Sequence, residues 1–238
     1  MALARLLAVF TYILKKLNFL DLRVYSLAGF SSEKKFDYQR RYIKFRLTKD
    51  ARVLDVGSGG EPFPYATYLV DLYPGKTQHR YNELKTNRKP LIQASVEHLP
   101  FKRKSIDFAY CAHVLEHVDD PARACEELMR VGKRGYIEVP TRLSDIIFNF
   151  TKIPNFHRWY VNRAGNSLIF VEYSDYERRD TRCNEFYQFA HSRYDNPLRR
   201  MFRRNKDLIT NMFMWDQRFS YYVFSKDGEL LSRSTNGI

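Results

Sequence analysis

Apolar residues in this chain gather into short runs separated by polar and turn-forming residues. Residues 51–56 (ARVLDV), 67–71 (TYLVD), 91–93 (LIQ) and 105–111 (SIDFAYC) are brief and rich in β-branched or aromatic side chains, as strands are. DDPARACEELMRV follows and predicts a helix, with Asp119 or Asp120 as N-cap, Pro121 in the first turn and Gly132 at the end. RGYIEVP then predicts a fifth strand that closes at Pro140. Strands joined by helical crossovers imply a parallel α/β sheet that binds ligands at the carboxyl ends of its strands. Beyond Pro140 the pattern changes. FHRWYVNRAGNSLIFVEY predicts a hairpin about an Ala-Gly turn, and residues 183–204 a helix that roofs a site. RFSYYVFS predicts a last strand that rejoins the sheet.

Length and charge refine this picture. The 238 residues suit one domain with an elaboration. The expected division is a basic N-terminal helical extension (1–48), a binding core (49–141) and a substrate cap with a final strand (142–238). The net charge of +13 is uneven: residues 1–50 carry 11 Lys/Arg against 4 Asp/Glu, residues 51–140 carry 13 against 12, and residues 141–238 carry 16 against 11. Basic flanks suit a phosphate-bearing partner, an anionic membrane surface, or solubility alone. Residues 1–20 hold an apolar run, Leu6 to Leu14, far shorter than the ~20 residues that span a bilayer. Lys15 and Lys16 stand where a signal peptide would need a cleavage site. An amphipathic helix fits, packed on the protein or lying peripherally on the inner membrane face. Cys111, Cys125 and Cys183 form no CxxC and read as cytosolic thiols, which points to a cytoplasmic protein.

The chemistry concentrates in VLDVGSGGEPFPYATYLVD, residues 53–71. A dinucleotide fingerprint needs a third glycine where Pro62 stands, and a P-loop needs Lys-Ser/Thr after its glycines. What remains is a glycine turn, Asp55 ending the first strand and Asp71 ending the second. An acidic residue at the second position accepts ribose hydroxyls. These features predict a nucleoside without a pyrophosphate. Farther on, HVLEHV places His113 and His117 four apart, on one face if the segment is helical. Glu116 is expected on another side, with no third ligand, so no metal is predicted.

The ordered set VLDVGSGG, LVDLYP, QASVEHLPF, SIDFAYCAHVLEHVDDPARACEELMRV and GYIEVPT resembles class I S-adenosylmethionine-dependent methyltransferases, and within them the family 11 small-molecule enzymes. The resemblance spans about residues 50–141. It implies a Rossmann-like parallel sheet, with a shortened first helix because Asp55 and Asp71 are close in sequence. Gly57, Ser58 and Gly59 would line the methionine part and ribose, with Asp55 at the same turn. Asp71 would bind the ribose hydroxyls and Leu72 would lie against the adenine. Ser95 and Val96 would meet the adenine edge, and Ser95 stands where the family often has aspartate. Cys111 and His113 would approach the sulfonium. His113, with His157 next, is the candidate base for a hydroxyl acceptor. The resemblance implies methyl transfer to a small-molecule or glycan-type acceptor, with RNA or protein methylation as an alternative. A non-catalytic nucleoside-binding subunit is the reading from another class. CAHVLEH replaces the Asn/Asp-Pro-Pro-aromatic motif of amino-directed nucleic-acid enzymes, which makes a nucleic-acid partner less favoured despite PLRRMFRRNK.

Overall fold

The computed structural model describes residues 35–77, 83–148, 157–179, 201–202 and 204–235. The expectations for residues 1–20, and for all but the last residues of the helix at 183–204, lie outside the described residues. No helix among the described residues is long and apolar enough to cross a membrane. Helix α1 (Lys35–Tyr42) leads into β1 (Val53–Val56), β2 (Tyr68–Asp71), β3 (Leu91–Gln93) and β4 (Phe108–Ala112). Helix α2 (Pro121–Val131), β5 (Arg134–Pro140) and α3 (Arg142–Phe148) follow. The chain ends in β6 (Trp159–Ala164), β7 (Ser167–Glu172), α4 (Asp175–Arg179), β8 (Thr210–Asp216), β9 (Ser220–Phe224) and β10 (Leu230–Ser234).

The main sheet has the order β3-β2-β1-β4-β5-β8, and all pairs are parallel except β5 with β8. It is the Rossmann-like sheet expected, with two departures. Among the described residues a helix, α2, fills only the crossover from β4 to β5, and the link from β1 to β2 is a loop. The strand that rejoins the sheet is β8, whereas RFSYYVFS forms β9 in a second sheet of order β10-β9-β7-β6. In that sheet β9 runs parallel to β7, and β7 pairs with β6 as the expected hairpin. The apolar alternation of RFSYYVFS reports a half-buried strand and not its partner. Helix α2 forms as its sequence dictates. Asp120 Oδ1 accepts from Arg123 N at 2.9 Å, Pro121 begins the helix and Gly132 caps it.

Strand alternation divides the core into two faces. Leu54, Val56, Ala109, Cys111, Ile137 and Val139 face α2 and the second sheet, whose Trp159, Phe170, Tyr221 and Val223 join the same apolar cluster. Val53, Phe108, Tyr110 and Tyr136 face the other way, against Tyr38 of α1, Phe45 and Phe63. This second face is the one that a helix between β1 and β2 does not cover. Aromatics fill it instead: Phe63 stacks on Tyr110 with centroids 4.1 Å apart, and Phe45 meets Tyr136 edge-on at 5.4 Å.

Packing is tightest where β5 meets β4 and β8. A Cβ on Gly135 would stand 2.3 Å from the Ala109 carbonyl oxygen and 2.8 Å from the Trp215 ring. Backbone cannot yield there as a flexible side chain would. Gly135→Ala should therefore lower unfolding free energy by roughly 1–3 kcal/mol, the usual cost of overpacking. Urea denaturation checks this, and an unchanged midpoint would mean that the β4–β5 approach is looser than described.

Candidate functional site

The carboxyl ends of β1, β2 and β4 open onto a cleft of about 510 Å³. Residues 57–60, Asp71, Leu72, Tyr73, Ser95, Val96 and Glu97 line one part, and His113, Val114 and His117 another. Lys35, from the start of α1, reaches the same cleft.

The glycine turn folds back onto β2. Gly57 N and Ser58 N both donate to the Val70 carbonyl, at 2.8 and 3.1 Å. Gly57 and Gly59 have φ of +72° and +55°, and a Cβ on Gly57 would lie 2.2 Å from Val114 Cγ2. Only glycine suits both demands. Asp71 completes the turn, because its two carboxylate oxygens accept from Gly59 N and Tyr73 N, each at 2.9 Å. Ser58 Oγ is buried in the cleft wall with no hydrogen-bond partner. Leu72 and Tyr73 leave nearly half of their surface open beside it. Together these form a polar cradle next to an apolar shelf.

Two residues expected in this lining lie elsewhere. Asp55 shares the aromatic face with Val53 and is buried, and its Oδ2 accepts from Phe63 N at 2.7 Å. It thus anchors the loop that replaces the first crossover helix. Burial pushes its carboxyl up to about 6, even with Phe63 N–H, Lys35 and Lys89 acting in the opposite direction. Cys111 points to the opposite face, fully buried in the apolar cluster, and burial raises its thiol well above the ordinary range.

Beyond β4 the chain turns without forming a helix, so His113 and His117 share no helical face. His113 adopts φ +58°, a left-handed conformation that histidine tolerates better than most residues. Glu138 holds it there twice. The Glu138 carbonyl accepts from His113 N at 2.8 Å, and Glu138 Oε1 lies 3.0 Å from His113 Nε2. Tyr38 OH, Tyr136 OH and Gln39 Nε2 complete the shell of this fully buried carboxylate. Glu116 Oε1 stands 3.5 Å from His113 Nδ1. The His113 side chain keeps 42% of its surface open, and the carboxylates of Glu116 and Glu138 outweigh what desolvation there is and raise its pKa to about 9. At neutral pH His113 is therefore a paired cation and no free base. Sequence reasoning missed Glu138. The signal was its place two residues after Tyr136, on the same face of β5, where a charge stands among the apolar residues of the strand's second half.

His157, the other candidate base, is buried and does not line the cleft. Its Nδ1 lies 2.8 Å from Asp145 Oδ1, while Asp145 Oδ2 accepts from Tyr173 OH at 2.7 Å. Its ring meets that of His117 edge-on with centroids 4.9 Å apart. Ser95 and Val96 do reach the cleft, where Ser95 Oγ accepts from Glu97 N at 3.1 Å. Glu97 in turn accepts from Asp119 N and Asp120 N, each at 2.9 Å, which ties this wall to the start of α2.

Residues 54–137 match the family model described as "Methyltransferase domain". This segment resembles a methyltransferase domain. A relative from Mycolicibacterium gilvum, an uncharacterized methyltransferase, is 31% identical over 99 residues, which cover 39% of each chain. The chain thus spans about two fifths of the length of that curated relative. Among solved structures, a SAM-dependent methyltransferase from Thermotoga maritima is similar at 22% identity and TM-score 0.38, over 47% of this chain and 56% of that one. A complex of the Haloferax volcanii Trm112 methyltransferase activator with a methyltransferase is similar at 13% identity and TM-score 0.46, over 73% of this chain and 85% of that one. The cofactor expected of a methyltransferase domain is S-adenosylmethionine. The cradle fits it. Ser58 Oγ is an unpartnered donor for a polar ligand, Asp71 can accept from a diol, and Leu72 and Tyr73 offer an apolar ledge to a purine.

The methyltransferase domain also carries a measurable consequence of its buried Asp55. A carboxyl with its folded-state pKa raised favours the native state fully only below its unfolded value. That contribution falls as pH climbs from about 4 through about 6 and is constant above. Asp55→Asn keeps an acceptor for Phe63 N but does not titrate. The variant should gain on wild type by up to about 3 kcal/mol between pH 4 and pH 7, at about 1.4 kcal/mol per displaced pH unit. Urea unfolding of both proteins across that range checks it, and a gap that does not change with pH contradicts it.

Proposed function

We propose that the protein transfers a methyl group from S-adenosylmethionine to a hydroxyl or amine of a small-molecule or glycan-type acceptor. The observation that carries this reading is the single cleft shared by the glycine-turn cradle and the histidine-bearing loop after β4. Its volume falls within the range of small-ligand sites, roughly 300–1,000 Å³.

Bound S-adenosylmethionine supplies an activated methyl on its sulfonium. The chain supplies position. Asp71, whose bonds from Gly59 N and Tyr73 N keep the turn closed, would accept from the ribose hydroxyls, Leu72 would lie along the adenine, and Ser95 and Val96 would border its edge. His113 and His117 line the same cleft as the cradle. With His113 held as a cation between two carboxylates, proximity and alignment supply the rate enhancement. An amine that is already unprotonated, or an acidic hydroxyl, suits such a site.

S-adenosylhomocysteine at ~100-fold over its Kd should stabilise the protein by about 2.7 kcal/mol, or roughly 5–10 °C in Tm, whereas NAD should not. Asp71→Ala should remove most of that shift, since charge-assisted bonds to the ribose and the anchor of the turn are both lost. Methyl release assayed with glycans, small phenols and amines, RNA and protein then sorts the acceptors. Cofactor binding with no transfer to any of them would favour the non-catalytic nucleoside-binding reading. An undiminished shift in folded Asp71→Ala would sink the assignment of the cradle.

A further inference from the structure

Glu116 is fully buried, and among the described residues its carboxylate oxygens have only loose ion pairs and no hydrogen bond of normal geometry. His113 Nδ1 at 3.5 Å and His117 Nε2 at 3.8 Å are too distant for good hydrogen bonds. A buried carboxylate left in this way is costly, which points to a missing ligand. His157 supplies what the sequence pattern of HVLEHV lacked. One oxygen of Glu116 and one ring nitrogen each of His117 and His157 lie within 4.8 Å of one another. The chain is tied together here, because Arg158 N and Trp159 N both donate to the Glu116 carbonyl and Trp159 Nε1 donates to the Val118 carbonyl. The start of β6 is thereby fastened to the loop after β4.

We propose that Glu116, His117 and His157 form a site for a divalent cation of the zinc class, beside the cofactor cleft. Two imidazoles and one carboxylate are a recurrent zinc ligand set, and they leave a fourth position open. The surroundings match a ligand's own support. Asp145 fixes His157 through Nδ1, and Tyr173 OH fixes Asp145, so Nε2 becomes the metal-binding nitrogen. A carboxylate behind a ligating histidine is the usual outer shell of such sites. Bonds of ~2.1 Å at tetrahedral angles require donor separations of about 3.4 Å, so the three side chains close inward on metal binding. His117 lines the cleft and the other two stand behind it, which puts the cation at the cleft wall. There it would lower the pKa of a coordinated water or acceptor hydroxyl. His157 is the third donor that the spacing of His113 and His117 in the sequence did not provide.

The test reads metal binding and is independent of methyl transfer. Untagged full-length protein is stripped with a chelator and dialysed against micromolar Zn2+, with Mg2+ and Ca2+ as controls. Wild type should retain one zinc per chain and neither control ion. His117→Ala and Glu116→Gln, each shown to be folded by circular dichroism, should retain at least ten times less. Co2+ in the wild-type protein should give the intense visible absorption of a four-coordinate centre, which keeps the proposal testable if both variants unfold. Substoichiometric zinc in wild type, full retention by a folded variant, or the weak absorption of six-coordinate Co2+ would each overturn it.

Discussion

A carboxylate shut away from water must be surrounded by donors, and Glu138 meets that condition by drawing three stretches of chain together. Tyr38 and Gln39 come from α1, Tyr136 from its own strand and His113 from the loop after β4. The imidazole and hydroxyl donors outweigh burial and hold the carboxyl down at about 2. Removing one partner of such an assembly leaves an uncompensated charge in the core, so its members are fixed together or not at all. The cleft inherits that rigidity, because His113 is bound to Glu138 through both backbone and side chain.

The same assembly accounts for how the fold dispenses with its first crossover helix. The residues after the glycine turn run as a loop pinned by Asp55 to Phe63, and the face left open is covered by α1, Phe45 and Phe63. Gln39 also bonds with Tyr110, so α1 is docked by polar contacts as well as by aromatic area. The start of α1 brings Lys35 to the cleft. A segment that precedes the methyltransferase domain in sequence is therefore part of its architecture and of its site.

How much of this could be read from the sequence varies with the range of the interaction. Local signals served well: the strands around Asp55, Asp71 and Pro140, the cap at Asp120 and the hairpin about Gly165 all stand where turn and periodicity rules put them. Strand partnership did not follow, since β8 and β9 carry similar apolar patterns and only the sheet decides which one meets β5. Asp55 and Cys111 fail as cleft residues for a plain reason. In a strand of period two, neighbours point to opposite faces: Cys111 ends in the apolar cluster, and Asp55 is buried against Phe63 N. The approach of His157 to Glu116 joins residues 41 positions apart, beyond any local pattern.

A double-mutant cycle of Tyr38→Phe with Glu138→Gln, followed by urea unfolding at neutral pH, tests the central claim most directly. If Glu138 locks α1 to the sheet, the two changes should couple by at least about 1 kcal/mol, because either change alone removes the hydroxyl-to-carboxylate bond between Tyr38 and Glu138. Effects that add within about 0.3–0.5 kcal/mol would show that α1 and Glu138 act independently, and would contradict the account.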